Sequence, residues 1–233
     1  MKVIETFGRG EENERQKQAL KSIHRYSLRR HFLNNIRHVF TSNFFKRKAS
    51  VLLVGPGLAQ NSETVKFIKK VVLTSHIPVV LDADGLNSFK GKPRELLCHK
   101  APLVLTPHRR EFERLFLVSW PESQTQRIEL AKKLSKFYDV VLVMKGHRTL
   151  VAYAGKCYLN TTGNPGMAKG GSGDVLSGII AAFIAQGLEP FLAACWAVYF
   201  HGMAGDMAVK ERGELGLLAS DIIRFLPKAF LKR

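Results

Sequence analysis

Short apolar runs alternate with amphipathic segments over residues 51–144. Runs rich in Val, Leu and Ile predict strands, and apolar positions spaced three and four residues apart predict helices. The predicted strands cover residues 51–54, 78–81, 103–105 and 140–144, and the predicted helices lie near residues 64–73 and 126–137. Because alternating strands and helices are typical of parallel sheets, the pattern predicts an α/β, doubly wound fold with flanking helices.

A hairpin and three helices complete the predicted fold. Gly155 separates two short runs, residues 149–154 and 156–160, which predicts an antiparallel hairpin. Helices are predicted over residues 175–186, 189–210 and 218–230. The apolar stretch 191–200 is too short to cross a membrane and is predicted to be a buried helix. We therefore expect one domain with a mainly parallel sheet and no membrane span.

The net charge of +17 is concentrated near the start of the 233-residue chain. Residues 1–50 hold 12 Lys and Arg against 4 Asp and Glu, and no acidic residue lies between Glu14 and Glu63. Such a segment suits contact with polyphosphate, nucleic acid or an anionic surface, although a solvated basic helix is the simpler explanation. We separate an atypical basic segment, residues 1–45, from a domain over residues 46–233, and expect no nucleic-acid partner.

Cysteine usage and the first residues favour a cytoplasmic location. Cys98, Cys157 and Cys195 are scattered, with neither the spacing of a disulfide framework nor that of a zinc site. No apolar signal-peptide core follows Met1, because three acidic residues stand within residues 11–14. A reducing, cytoplasmic environment is therefore expected.

Polar or turn-forming residues follow each predicted strand. Ligands of open parallel sheets bind beyond the carboxyl ends of the strands. Each segment alone has a structural explanation, since Gly-Pro-Gly forms turns, Asp-x-Asp caps helices and a lone His is commonly structural. Together the segments predict one ligand site. They are Gly55-Pro56-Gly57, Asp82-Ala83-Asp84 with Asn87, Thr106-Pro107-His108, and Lys145-Gly146.

A glycine-rich run over residues 163–174, here called the glycine loop, precedes the predicted helix 175–186. The unpaired N–H groups at a helix start bind anions, and glycines let a phosphate approach the backbone closely. Asp174 ends the loop as either a helix cap or a general base, and the glycine density favours the base. Ala168 before Lys169 excludes a Walker A loop, and Asp174 stands where a nucleophile elbow needs glycine.

Six segments of the chain share the pattern of one known family. They are Gly55-Pro56-Gly57-Leu58, residues 81–87, Thr106-Pro107-His108 with Glu111-Phe112 and Arg114-Leu115, Lys145-Gly146 with Thr149, residues 163–178, and residues 201–206. In these segments, which run from about residue 46 to the C-terminus, the chain resembles the ADP- or ATP-dependent NAD(P)H-hydrate dehydratases, a ribokinase-like family. The form of the glycine loop resembles the bacterial members, which implies ADP as the phosphoryl donor.

The resemblance implies repair of the hydrated cofactors NADHX and NADPHX. The C6 hydroxyl would take a phosphoryl group from ADP, AMP would leave, and elimination of phosphate would restore NADH or NADPH. Asp174 would be the base, and Gly57, His108 and Asp174 would contact the substrate. Mg²⁺ would accompany the nucleotide, and no metal-binding side chain is implied. The implied nucleotide-binding residues are Lys145, Gly146, His147, Arg148, Thr149, Asn164, Gly166, Lys169, Gly170, Gly171, Ser172 and Gly173.

Three departures from the family pattern keep other functions open. Residues 1–50 lack the usual first strands and glycine-rich turn, Ala59 replaces a glycine, and Arg109-Arg110 replaces Pro-Gly. Because missing strands would leave a sheet edge exposed, a homo-oligomer is expected. The alternatives are a ribokinase-fold kinase of a small alcohol or vitamin precursor, and an inactive nucleotide-binding remnant whose basic segment binds nucleic acid or a partner.

Overall fold

A computed structural model of the chain describes residues 49–231. The predictions for the basic segment and for the boundary between residues 45 and 46 lie outside the described residues and stay predictions.

Strands and helices alternate along the described chain before it ends in three helices. The strands are β1 (Leu52–Val54), β2 (Val79–Leu81), β3 (Leu103–Leu105), β4 (Val141–Met144), β5 (Leu150–Tyr153) and β6 (Lys156–Leu159). The α-helices are α1 (Ser62–Thr74), α2 (Asp84–Asn87), α3 (Arg109–Phe116), α4 (Gln124–Tyr138), α5 (Ser172–Ala185), α6 (Pro190–Gly216) and α7 (Ala219–Leu231). Two 3-10 turns lie at Pro93–Cys98 and Pro165–Met167.

The six strands form one sheet in chain order. β1 to β4 pair in parallel, whereas β4, β5 and β6 pair antiparallel. Each predicted strand is present with ends within one residue of the prediction, and the hairpin is β5 with β6. The mainly parallel α/β sheet is therefore confirmed. Among the described residues β1 is an edge strand.

Helices cover the sheet, and its central strands are buried. All residues of β2, β3 and β4 are buried. Val80, Val104 and Val143 form one cluster with apolar residues of α5 and α6. Because neighbouring side chains of a strand point to opposite faces, Leu81 and Leu105 lie on the other side, where they are also buried. Burial on both faces explains why these strands read as continuous apolar runs.

The structure differs from the predicted helices in several places. The short helix α2 was not predicted, and α6 is assigned to Gly216, past the predicted end at residue 210, with non-helical backbone at Gly213. α3 was not predicted, because five of its eight residues are charged and only a short face is apolar. α5 begins at Ser172 instead of residue 175, after Gly171 in the left-handed region at φ 87°. The helix predicted to be buried over residues 191–200 is buried on one face, through Ala193, Ala194, Ala197 and Val198, whereas Leu192 and Trp196 on its other side are about half exposed at 51% and 48%. No helix within residues 49–231 is long and apolar enough to cross a membrane.

Candidate active site

The carboxyl ends of the parallel strands meet at one edge of the sheet, as the sequence predicts. The Asp82 N–H donates to the Val54 carbonyl at 3.1 Å, and the Thr106 N–H donates to the Leu81 carbonyl at 3.2 Å. The Lys145 N–H donates to the Pro107 carbonyl at 2.9 Å. These bonds extend the ladder past β1, β2, β3 and β4, so the polar segments that follow the strands lie side by side.

The turn after β1 is held against the end of β2. Gly55 has φ 139°, and a Cβ there would lie 1.7 Å from the Asp82 carbonyl oxygen. Ala59 also has a positive φ, 66°, and its N–H donates to Asp84 Oδ2 at 2.8 Å. Gly57, between them, has φ 70° and open space around its Cβ position. The predicted substrate contact at Gly57 is thus on an exposed turn whose two flanks are fixed to β2 and α2.

Three charged side chains form what we call the charged cluster: Asp82 and Lys145, which follow β2 and β4, and Glu111 in the first turn of α3. Lys145 Nζ lies 2.7 Å from Asp82 Oδ1 and 3.8 Å from Glu111 Oε2. Asp82 Oδ1 also accepts the Ala83 N–H, but the buried Oδ2 has no partner in the described part of the chain. The sequence predicted Lys145 as a nucleotide-binding residue and Asp82 as part of the strand-end ligand site, and it assigned no role to Glu111. Only the position of Glu111 in the motif that follows Thr106-Pro107-His108 could have indicated it.

His108 caps α3 and contacts the charged cluster. Its Nδ1 accepts the backbone N–H groups of Arg110 and Glu111 at 3.1 and 3.3 Å, and Glu111 Oε2 accepts the His108 N–H at 2.9 Å. Because Nδ1 is an acceptor, the proton of the neutral ring lies on Nε2, which is 3.4 Å from Glu111 Oε1. Capping a helix is a structural role for this histidine. Its ring is half exposed and can still reach a ligand, so the substrate contact of His108 stays a prediction.

The start of α5 presents free backbone donors. The N–H groups of Gly170, Gly171, Gly173 and Asp174 have no acceptor within residues 49–231. Ser172 N–H donates back to the Lys169 carbonyl at 3.3 Å. Unpaired amides and the positive end of the helix dipole both attract anions. The glycine loop therefore has the chemistry of an anion site.

Asp174 lies in the first turn of α5, exposed and beside these amides. The N-cap is Gly171, and no side chain caps the helix, so Asp174 is not a capping residue. Its carboxylate has no partner among the described residues. A free carboxylate next to an anion site is available to act on a substrate hydroxyl, and its role as base stays a prediction.

The turn after β4 lies next to the glycine loop. A Cβ on Gly173 would come within 3.2 Å of Lys145 Nζ, so this lysine reaches the first turn of α5. Thr149 Oγ1 donates to the Gly146 carbonyl at 3.0 Å and closes the turn. Arg148, at φ 55°, donates from Nη1 to Gln124 at 3.1 Å, while Gly146 and His147 are exposed. The predicted nucleotide residues therefore fall on two adjoining surfaces.

α6 holds the rest of the glycine loop from behind. Asp206 accepts the Gly163 N–H at 2.8 Å and the Asn164 side-chain amide at 2.9 Å. A Cβ on Gly166 would lie 2.9 Å from the Glu214 Cα, so the loop closely approaches the end of α6. Lys169 Nζ donates to the Leu215 carbonyl, which directs this predicted phosphate partner to the end of α6 instead.

His201 lies in the motif of residues 201–206, which resembles the family pattern, and the sequence indicates no role for it. Its Nε2 lies 3.0 Å from the Ser172 carbonyl oxygen, in the first turn of α5. Burial is the main cause that lowers the pKa of His201 to about 4; the hydrogen bond to the Ser172 carbonyl partly opposes it, and the charge of Lys145 adds a smaller lowering effect. The ring is therefore neutral near pH 7.

The family assignment follows from comparison with known proteins. The family model described as NAD(P)H-hydrate dehydratase matches residues 13–228. The chain belongs to this family. The match begins well before residue 46, the point from which the sequence motifs were recognised. The predicted resemblance is confirmed, and the glycine loop, the charged cluster and the strand-end turns belong to a NAD(P)H-hydrate dehydratase family domain.

Relatives of the dehydratase domain are named by this activity. A bifunctional NAD(P)H-hydrate repair enzyme of Moorella thermoacetica is 44% identical over 77% of this chain and 34% of its own length. An ADP-dependent (S)-NAD(P)H-hydrate dehydratase of Bacillus subtilis is 38% identical over 77% of this chain and 63% of its own. The chain thus spans from about a third to less than two thirds of these relatives.

A solved structure supports the ribokinase-like fold of the domain. The ADP/ATP-dependent NAD(P)H-hydrate dehydratase of Bacillus subtilis, crystallised with ATP and Mg²⁺ and soaked with CoA, superposes with a TM-score of 0.69. It is 34% identical, and the match covers 80% of this chain and 70% of that one. The predicted fold class is confirmed.

Proposed function

We propose that the chain catalyses ADP-dependent dehydration of (S)-NADHX and NADPHX to NADH and NADPH, with release of AMP and phosphate. The observation that carries the proposal is a cradle of four backbone amides, those of Gly170, Gly171, Gly173 and Asp174, beside the Asp174 carboxylate, none of which has a hydrogen-bond partner within residues 49–231. The named activity of relatives that are 38% to 44% identical supports the choice of substrate. The reaction makes the chain a lyase that repairs damaged nicotinamide cofactors.

The chemistry divides between the carboxylate and the amides. Asp174 removes or orients the proton of the C6 hydroxyl. The hydroxyl oxygen attacks the β-phosphorus of ADP, and AMP departs. Phosphate then leaves C6 with the electron pair of the C–O bond, and loss of a ring proton restores the double bond. General-base assistance contributes roughly 10²–10⁴ in rate. Amides aimed at developing phosphoryl charge contribute about 3–4 kcal/mol each in comparable sites.

The nucleotide would lie across the glycine loop and the turn after β4. The ammonium group of Lys145 lies beside Gly173 and adds positive charge at the start of α5. Residues 49–231 contain no group of three His, Cys, Asp or Glu side chains placed to hold a metal ion. The backbone amides and Lys145 at the start of α5 suit the nucleotide phosphates. Mg²⁺ would then be bound through these phosphates and water, where it would neutralise phosphate charge. ATP is the alternative donor.

The hydrated nicotinamide would lie on the exposed turn at Gly57 and along the free face of His108. Both NADHX and NADPHX are expected substrates. We also expect the protein to form a homo-oligomer and to work in the cytoplasm.

Turnover of ADP tests the proposal. AMP and phosphate should appear from ADP only when NADHX or NADPHX is present, and Asp174→Asn should lower kcat by at least about a hundredfold. Asp139→Asn is the matched control, because Asp139 lies at the C-terminus of α4 in the left-handed region that Asn tolerates. Full activity of folded Asp174→Asn would contradict the role of Asp174.

Two other results would favour the alternative functions. A stable phosphorylated alcohol, with no product from NADHX, would identify a kinase of a small alcohol. No turnover at all, together with oligonucleotide binding that weakens steeply with salt, would identify a nucleotide-binding remnant.

A further inference from the structure

His201 contacts the anion site through a backbone group and not through a ligand. It lies on α6, it is buried, and its Nε2 is 3.0 Å from the Ser172 carbonyl oxygen. A carbonyl oxygen can only accept, so Nε2 carries the proton and donates it. Other polar contacts of the first turn within residues 49–231 come from α5 itself or the loop: Asp174 O accepts Ser177 Oγ at 3.1 Å, and Gly171 O accepts the Val175 N–H at 3.0 Å.

His201 contacts the peptide unit that joins Ser172 and Gly173, and this peptide contains the Gly173 N–H of the anion site. The Ser172 carbonyl and the Gly173 N–H belong to the same planar trans peptide, so they point in opposite directions. A donor that fixes the carbonyl therefore fixes the direction of the N–H. Gly173 N–H is one of the four amides without an acceptor in the described residues.

We infer that His201 is a positioning residue, which aims the Gly173 amide at the phosphoryl group of the nucleotide by holding the Ser172 carbonyl. The inference rests on the proposed function only in taking the anion to be a nucleotide phosphate. A hydrogen bond to the carbonyl also polarises the peptide, so it strengthens the N–H on the other side as a donor.

The surroundings of His201 suit a neutral donor. Lys145 is the charged group that acts on the ring, and its Nζ already lies beside the Gly173 Cβ position. Burial keeps the ring uncharged, so no second cation competes with Lys145 in the first turn of α5. Gly202, the next residue of α6, has no side chain, and a Cβ there would lie 2.2 Å from Thr162 Oγ1. Thr162, just before the glycine loop, therefore packs directly on the backbone of α6 beside His201, and the loop begins there, since a Cβ on Gly163 would lie 3.6 Å from Gly202 Cα.

The test compares two variants of His201 with a matched control. His201→Leu removes the donor, whereas the side-chain amide of His201→Gln can supply one in its place. His99→Leu is the control, because His99 also contacts carbonyls, those of Ala101 at 2.8 Å and Tyr138 at 3.2 Å. Ala101 and Tyr138 precede β3 and β4, so His99 lies at the opposite edge of the sheet from the cradle.

ADP affinity is measured by calorimetry, with thermal unfolding to confirm that each variant is folded. His201→Leu should bind ADP about tenfold more weakly and should lose kcat more than it raises KM, because amide alignment matters most for transition-state charge. His201→Gln should stay within about threefold of wild type. His99→Leu should lose stability and keep its ADP affinity.

The possible failures are distinguishable. If folded His201→Leu binds ADP and turns over like wild type, or if His201→Gln is impaired as much as His201→Leu, the inference is overturned and the proposed function stands. If the wild-type chain binds ADP without releasing AMP from it in the presence of NADHX, and His201→Leu still weakens ADP binding, the proposed function is wrong and the role of His201 is supported.

Discussion

Replacing Lys145 with Met should destabilise the protein strongly. The ammonium group lies between two carboxylates that are almost completely buried, with side-chain exposures of 1% for Asp82 and 6% for Glu111, and is itself 16% exposed. Met retains most of the length and the apolar contacts of the lysine stem, so the change removes mainly the charge. What remains is a pair of buried carboxylates without the lysine cation, and Asp82 Oδ2 already has no hydrogen-bond partner among the residues that the structure describes.

The magnitude follows from the two distances. At an effective dielectric constant of about 20, the 2.7 Å contact with Asp82 is worth about 6 kcal/mol and the 3.8 Å contact with Glu111 about 4 kcal/mol. Desolvation of the three charges offsets most of this attraction in wild type. Removing one partner leaves the desolvation of the others uncompensated, which costs about 3–5 kcal/mol in buried pairs. We expect a loss in that range for Lys145→Met.

Urea unfolding, followed by the fluorescence of the two tryptophans, measures the change. Asp82→Asn should cost less, about 2 kcal/mol, because Lys145 keeps Glu111 as a partner. The double variant should cost less than the sum of the two single variants. Lys66→Met is the control, since Lys66 forms an exposed pair with Glu63 and should change stability by less than about 0.5 kcal/mol. A loss below about 1 kcal/mol for Lys145→Met would refute the reasoning.

Backbone geometry, protonation and thiol burial give three more expected outcomes. Gly55→Ala should lower the free energy of unfolding by more than about 3 kcal/mol, because its Cβ would collide with the Asp82 carbonyl, whereas Gly57→Ala meets open space and should cost about 1 kcal/mol. The unfolded chain binds a proton at His201 near pH 6.5 that the folded chain takes up only near pH 4, so stability should fall by about 3 kcal/mol across that window and should fall less in His201→Gln. At pH 8 an alkylating reagent should modify exposed Cys98 first, because burial raises the pKa of Cys195 to about 12.

A specific result would contradict each of these three predictions. Equal stability losses for Gly55→Ala and Gly57→Ala would mean that close backbone approach is not what requires glycine at Gly55. A difference between wild type and His201→Gln that is constant from pH 6.5 to 4 would show that His201 does not titrate there. Alkylation of Cys195 as fast as Cys98, read by peptide mass spectrometry, would show that the thiol is not buried.

The fold could be predicted because each strand has a recognisable local sequence pattern. β2, β3 and β4 are buried on both faces, so their residues form continuous apolar runs that need no knowledge of distant contacts. α3 could not be predicted in this way, since it is short, largely charged and begins with an unusual histidine cap. The first turn of α5 was missed for a related reason, because glycines at its start resemble a loop.

Only part of the candidate site could be predicted from the sequence. Glycine density and the strand ends indicated the cradle and its surroundings, because turns and helix starts have local signatures. The strand-end segments placed Asp82 and Lys145 in one predicted site, but their ion pair was not predicted, because residues 63 positions apart meet only through the parallel register of the sheet. The anchoring of Lys169 on the Leu215 carbonyl likewise depends on how α6 ends beside the loop.

The face of α6 that supports the glycine loop explains how the cradle can be ordered before any nucleotide arrives. Val198, whose carbonyl accepts from the Asn160 side chain, is followed at helical spacing by His201, Gly202 and Gly205. A Cβ on Gly205 would collide with Met167 of the loop and one on Gly202 with Thr162 just before it, and His201 holds a peptide within the loop. Positions separated by three, four and seven residues share one side of a helix. A loop that is ordered during folding does not lose conformational entropy when the nucleotide binds. Substitutions on this face of α6 should therefore alter ADP affinity although they do not contact ADP.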